Sequence, residues 1–258
     1  MHGDGDATGY RAIVVLPPGA ARRLIARGVA QLPAVERALR EGLVVVALGT
    51  TNGYVAEELL GRGIERERFC AGYIGDRLAS LPAERQATPL VLRRGQPIEL
   101  SPDEALGELR GGDVLIKGAN VLDPAGVCGV FMASPAGGTV GKFAVPALAR
   151  GVEIVIPISC AKSIHGFVAD LAREVGIGRV DEATGSPVGL CPLVGTVVTE
   201  VEAIALRYGV RAEHLASGGV GPGTGAVTLL LVGEEPKVRR AFAELATLAR
   251  TEPPPQVG

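Results

Sequence analysis

The chain has no tryptophan, and aromatic residues make up only 3% of its 258 residues, so base-stacking platforms and aromatic cages are not expected. A basic surplus is missing as well: 26 Lys and Arg stand against 28 Asp and Glu, a formal charge of −2. With nothing left over to neutralise a run of phosphates, nucleic acid is not the expected partner. No apolar run approaches the roughly 20 residues of a membrane-spanning helix, Leu43 to Leu48 being among the longest. The opening Met1-His2-Gly3-Asp4-Gly5-Asp6 is acidic and polar, unlike a secretory signal. Cys70, Cys128, Cys160 and Cys191 lie far apart with no Cys-x-x-Cys pair, which suits reduced thiols better than a disulfide scaffold. A cytoplasmic protein without membrane or nucleic-acid partners is expected.

Lysine is also scarce. Only Lys117, Lys142, Lys162 and Lys237 occur among the 26 basic residues, and three of them fall between positions 117 and 162. An ammonium is a compact charge with a tunable pKa, unlike the guanidinium that serves elsewhere in this chain. The cluster suits either exposed turns or a site for anions.

Apolar residues, at 47%, suffice for a substantial core. Short apolar runs alternate with helix-type spacing. Ile13 to Leu16 is followed by Leu24, Ile25, Val29, Leu32, Val35 and Leu39, a pattern interrupted at Pro33. Leu43 to Leu48 reads as a strand covered on both faces, and Thr51 to Leu60 as a helix. Ser101-Pro102-Asp103-Glu104 is a capping-box helix start. Strands are expected at Asp113–Lys117, Val127–Met132 and Glu153–Ile158, with helices over about 138–150 and 162–175. The order predicts an α/β fold: an open, mostly parallel sheet with helices on both faces, over residues 11–185. Gly185-Ser186-Pro187 reads as a hinge. A small α+β unit of ferredoxin-like type is expected over 186–250, with a strand-like run to Val194, a helix at Thr199–Tyr208, a strand at Val227–Val232 and a helix at Pro236–Leu248. Residues 251–258, with three prolines, read as a disordered tail.

Two glycine turns lie between a strand and a helix. Gly49-Thr50-Thr51-Asn52 offers hydroxyls and exposed N–H groups at a helix start, a favourable place for an anion; Thr51 or Asn52 could equally just cap the helix. Gly137-Gly138-Thr139 could cradle a phosphate with Lys142 as a point charge, or supply only positive φ for a turn. Lys117-Gly118-Ala119-Asn120 and the later Asp123 follow one strand, and Lys162 follows another. Open α/β sheets bind ligands beyond the carboxyl ends of their strands, so both glycine turns are expected to face one pocket with Lys117 and Lys162.

Taken in order, these segments resemble the sugar-phosphate isomerase and CoA-transferase superfamily, most closely ribose 5-phosphate isomerase A. Gly49-Thr50-Thr51-Asn52 is similar to that family's phosphate loop, and Gly118 to Pro124 to its Gly-Ala-Asp-Glu-hydrophobic-Asp-Pro segment. Gly137-Gly138-Thr139 is similar to its glycine-rich turn, and Lys162 stands where the family has a Ser-Lys. The resemblance implies an isomerase-like enzyme for a small phosphorylated or carboxylated metabolite, with Asp123, Lys142 and Lys162 as catalytic candidates. Gly49, Thr50, Thr51, Asn52, Lys117, Gly118, Asn120, Gly137, Gly138 and Thr139 would bind the substrate. By ungapped spacing from Asp123 the family's catalytic glutamate falls on Lys142, and Asn120 replaces its first aspartate; the family's proton-transfer route lacks its base. The expected partners are an anionic small molecule and further copies of the chain, with no cofactor and no metal.

Three alternatives remain open at the level of sequence: a non-catalytic metabolite sensor, a CoA-dependent acyl-transfer protein, and a thiol or metal enzyme built from Cys128, Cys160, Cys191 and His165. Ser217 to Gly225, with five glycines, is either a lid over the ligand or a flexible hairpin connection.

Overall fold

A computed structural model describes residues 9–255; the acidic amino-terminal hexapeptide and the last three residues of the expected tail lie outside them. Strand β1 (Tyr10–Leu16) is followed by helices α1 (Pro18–Ala30) and α2 (Pro33–Glu41), then β2 (Leu43–Val46) and α3 (Thr50–Leu60). A hairpin of β3 (Gly72–Ile74) and β4 (Leu78–Ser80) precedes a second, β5 (Leu90–Arg93) and β6 (Gln96–Ile98). Next come α4 (Pro102–Glu108), β7 (Val114–Ile116), β8 (Val121–Leu122), β9 (Cys128–Met132), α5 (Gly138–Ala149) and β10 (Glu153–Pro157). Then follow α6 (Val168–Glu174), β11 (Gly189–Leu193), β12 (Thr196–Val198) and α7 (Glu200–Tyr208). Two long strands, β13 (Arg211–Gly218) and β14 (Ala226–Gly233), and α8 (Glu235–Thr251) complete the described chain.

The fold is mixed α/β, and its largest sheet has six strands in the order β12-β10-β7-β2-β5-β6. The first four run parallel, β5 pairs antiparallel with β2, and β6 pairs antiparallel with β5. Period-two alternation sends Val44, Val46, Val114, Ile116 and Val155 into one core, shared with Leu24, Ile25 and Val29 of α1. It sends Leu43, Val45, Leu115, Ile154 and Ile156 into a second core, shared with Phe143 and Ala147 of α5. Continuous apolar runs are thus buried on both faces, as parallel strands require.

Several expectations change. β1 pairs not with this sheet but antiparallel with β14, from Tyr10↔Gly233 to Leu16↔Val227, and β13 lies on the far side of β14. Val14 and Leu16 are buried whereas Ile13 and Val15 are exposed, the pattern of a strand covered on one face only. Leu16, Leu229, Leu231 and Leu245 join the core beneath α1, so both chain ends contribute to one small sheet packed on the main body. β9 likewise leaves the parallel sheet and pairs antiparallel with β8 and β11. The helix expected over 162–175 starts only at Val168, because Ile164 N–H donates to the Leu122 carbonyl at 2.9 Å and keeps that stretch extended. The first residues of the expected tail are held: α8 runs to Thr251, and Glu252 accepts from Arg23 Nε at 3.2 Å and Arg66 Nη1 at 3.1 Å.

Pro33 does break the first helical stretch, at the start of α2, and the capping box at Ser101 forms. α1 also packs closely on α7. A Cβ on Gly28 would come within 2.6 Å of the Ala203 Cβ, so the two helices meet only because Gly28 has no side chain. Gly107, inside α4, has no atom within 4 Å of that position. Gly28→Ala is therefore expected to cost about 1–3 kcal/mol through overpacking, and Gly107→Ala to gain about 0.5–1 kcal/mol through helix propensity. Urea unfolding midpoints of the two variants check the opposite signs.

Candidate functional site

The parallel strands β2, β7 and β10 are adjacent, so the segments leaving their carboxyl ends converge on one sheet edge. Gly49–Asn52 follows β2, Lys117–Asn120 follows β7, and a 3-10 turn, Cys160–Lys162, follows β10. Facing them is the turn between β9 and α5. Together they enclose a cavity of about 270 Å³. Gly49, Thr50, Thr51, Asn52, Lys117, Gly118, Asn120, Gly137, Gly138, Thr139 and Lys162 all line it. The two glycine turns share a pocket for a different reason from the one expected, since the second leaves an antiparallel strand of another sheet. Asn120 makes the connection: its N–H donates to the Gly129 carbonyl at 2.8 Å and its Oδ1 accepts from Phe131 N–H at 2.9 Å, drawing β9 over the end of β7.

Both helix starts at the cavity are bare. α3 and α5 begin after Gly49 and Gly137, neither of which offers a side-chain cap. Gly137 and Gly138 have φ of +75° and +55°, which suits glycine alone at these successive positions. Among the described α-helices, every other start has a proline in its first turn or donates an N–H to a capping side-chain oxygen. α1, α2, α4 and α8 have the proline, α7 has Thr199, and Asp123 Oδ2 accepts from Val168 N–H of α6 at 3.0 Å. The first-turn N–H groups of α3 and α5 have no intrahelical acceptor. Their partial positive charge meets that of two lysines.

Lys117 Nζ donates to the Gly118 carbonyl at 2.8 Å, and Lys162 Nζ to the Ala119 carbonyl at 2.6 Å. Among the described residues neither has a carboxylate within ion-pair distance, whereas Lys142 and Lys237 are paired with Asp103 and Glu234. Among the described residues no Asp or Glu lines the cavity. Burial pushes Lys117 down to about 8. Burial also lowers Lys162 to about 8, assisted by the Arg22 and Lys117 charges. Asn52 is fully buried; its amide donates to the Ala47 carbonyl at 2.7 Å while its Oδ1 has no partner. The site thus combines two cations without counter-charge, two uncapped helix starts and one orphan acceptor.

Other sequence candidates lie elsewhere. Lys142 points away from the cavity to Asp103, at 2.7 Å, on the exposed side of α5. Asp123 does not line the cavity either; its carboxylate accepts N–H bonds from Ala125, Val127 and Val168. Burial opposes its ionisation, but those three bonds prevail and hold its pKa below the usual value. It organises a turn and a helix start. Among the described residues no group of three His, Cys, Asp or Glu is placed to hold a metal ion, so the Cys128–Cys160–Cys191–His165 cluster does not assemble. Burial pushes both the Cys128 and Cys160 thiols up to about 12, far from reactive thiolates. Nothing between Ser217 and Gly225 lines the cavity.

The β3–β4 hairpin went unread in the sequence, although Tyr73, Ile74, Leu78 and Ser80 line the cavity. The Gly75-Asp76 pair between two short apolar runs was its signal. The residues on either side of Gly185 fasten this hairpin. Leu78 N–H donates to the Thr184 carbonyl at 2.9 Å and Ser186 N–H to the Leu78 carbonyl at 3.0 Å. No family model, curated protein or solved structure matches the chain.

An uncompensated buried lysine destabilises the empty protein. With a folded pKa of about 8 against an ordinary 10.5, the unfolded chain binds more protons between those values, so the penalty is full at pH 7 and shrinks as pH rises toward 10.5. Lys162→Met should therefore stabilise the ligand-free protein at pH 7 by roughly 1 kcal/mol, discounted from a dry lysine's cost because the side chain is partly exposed. The gain should fade by pH 10. Urea unfolding of both proteins at the two pH values checks the size and the trend.

Proposed function

We propose that the chain is an enzyme for a small metabolite carrying phosphate or carboxylate, with the anionic group held between Lys117, Lys162 and the starts of α3 and α5. The observation that carries this reading is the pair of carboxylate-free lysines at a cavity with two uncapped helix starts. Each charge-assisted hydrogen bond to an anion contributes about 1.5–3 kcal/mol. The cavity is at the small end of ligand pockets, which run roughly 300–1,000 Å³, and suits a short metabolite better than acyl-CoA. The resemblance to ribose 5-phosphate isomerase A supports the same ligand class. Its proton-transfer chemistry receives no support from this cavity, which has no carboxylate to serve as base.

That same lack of a carboxylate favours, as a second reading, a metabolite sensor that binds the anion without turning it over. Turnover of short phosphorylated or carboxylated carbonyl compounds separates the two, since a sensor binds them unchanged. Sulfate, whose charge is constant above pH 3, probes the binding site that both readings require. Lys162→Met should weaken sulfate binding by on the order of 10–100-fold, while Lys142→Met, which removes a surface ion pair, should leave it unchanged. Calorimetric titration at pH 7 checks this. Equal affinity in wild type and Lys162→Met, or a loss confined to Lys142→Met, would contradict the assignment.

A further inference from the structure

We infer that Lys162 is a covalent nucleophile, forming an imine with the carbonyl carbon of an anionic aldehyde, ketone or 2-oxo acid held in the cavity. This deepens the anion-site reading and rests on it. The arrangement around Lys162 is one that leaves a lysine neutral and directed. Its Nζ gives one N–H to the Ala119 carbonyl at 2.6 Å, which fixes the nitrogen at the cavity wall. The charges of Arg22 and Lys117 act on it to favour the neutral amine, and the thiols Cys70 and Cys128 oppose them. Those thiols are themselves held protonated by burial. A lysine that is both desolvated and set beside other cations loses its proton readily and becomes a nucleophile toward carbonyl carbon. Lys117 is the less suited of the two, because its Nζ folds back on the adjacent Gly118 carbonyl, whereas Lys162 reaches across to the end of another strand.

The step balances with groups that the cavity holds. The neutral Lys162 amine attacks the carbonyl carbon, forming a C–N bond as the C=O π electrons move to oxygen. A proton passes from nitrogen to that oxygen to give the carbinolamine. The Lys117 ammonium then donates a proton to the hydroxyl, water leaves with the C–O electron pair, and the nitrogen lone pair forms the iminium. Lys117 is left neutral. The iminium draws electrons from the adjacent C–H or C–C bond, which provides acidification of that carbon in a cavity without a carboxylate base. The anionic end of the substrate remains at the helix starts.

The scarcity of lysine makes the test selective. Wild-type protein is incubated at pH 8 with glycolaldehyde phosphate and sodium cyanoborohydride, and the reduced adduct is located by peptide mass spectrometry. Modification at Lys162 should exceed that at the exposed Lys142 and Lys237 by at least about 10-fold and should fall when excess inorganic phosphate is present. Lys162→Arg, which keeps a cation but cannot form the imine, should lose the adduct and retain phosphate binding by calorimetry. Equal labelling of the lysines, or labelling chiefly at Lys117, would overturn the inference. If phosphate binds the wild type and Lys162 is unlabelled, the nucleophile is refuted while the anion site stands. If phosphate does not bind and Lys162 is unlabelled, both fall.

Discussion

Two ammonium groups held at the ends of buried strands, without a carboxylate between them, are the constraint around which this molecule is arranged. Lys117 directly follows Ile116, and Lys162 closes the turn after β10; both strands are buried. The strands that lead to them are packed between two apolar cores, which fixes where the two half-buried lysines leave the backbone. Repulsion and desolvation then remain in the empty protein, and a site of this kind is stable only because the surrounding core carries it. The strain is local and it is electrostatic.

The backbone adds charge of the same sign. Glycines stand where α3 and α5 would otherwise have capping side chains, while helices elsewhere use Ser101, Thr199, Asp123 or an early proline. Glycine at the cap leaves the first N–H groups open to a ligand and lets its atoms approach the backbone closely. The buried Asn52 Oδ1 is left without a partner, next to Gly118. The β3–β4 hairpin, pinned at Leu78 by Thr184 and Ser186, narrows the cavity from outside the sheet.

Much of the site was legible because it depends on local rules. A buried strand followed by Gly-Thr-Thr-Asn, or by a lone lysine in an arginine-rich chain, identifies a strand end whatever lies beyond it. What was not legible depended on partners distant in sequence. β1 is a short apolar run that would suit either sheet, and only its pairing with β14, over two hundred residues away, decides which. Lys142 has a glycine-turn neighbour that suggests a phosphate site, yet helical phase turns it toward Asp103. Asp123 looks like an acid–base residue until its three N–H partners are seen. The β5–β6 edge went unread because its hairpin turn, Arg94-Gly95, puts a non-glycine residue at positive φ, an uncommon choice that composition does not announce.

The anion site depends on the charge state of two lysines, and four lysines in one chain are few enough to follow individually. Isotope-labelled lysine side chains, titrated by NMR with and without sulfate, report each ammonium directly. Lys117 and Lys162 should titrate near 8 in the empty protein, well below the ordinary 10.5, and sulfate should raise both. Lys142 and Lys237 should not respond to sulfate. Four lysines titrating together near 10.5, or sulfate moving only Lys142 or Lys237, would contradict it.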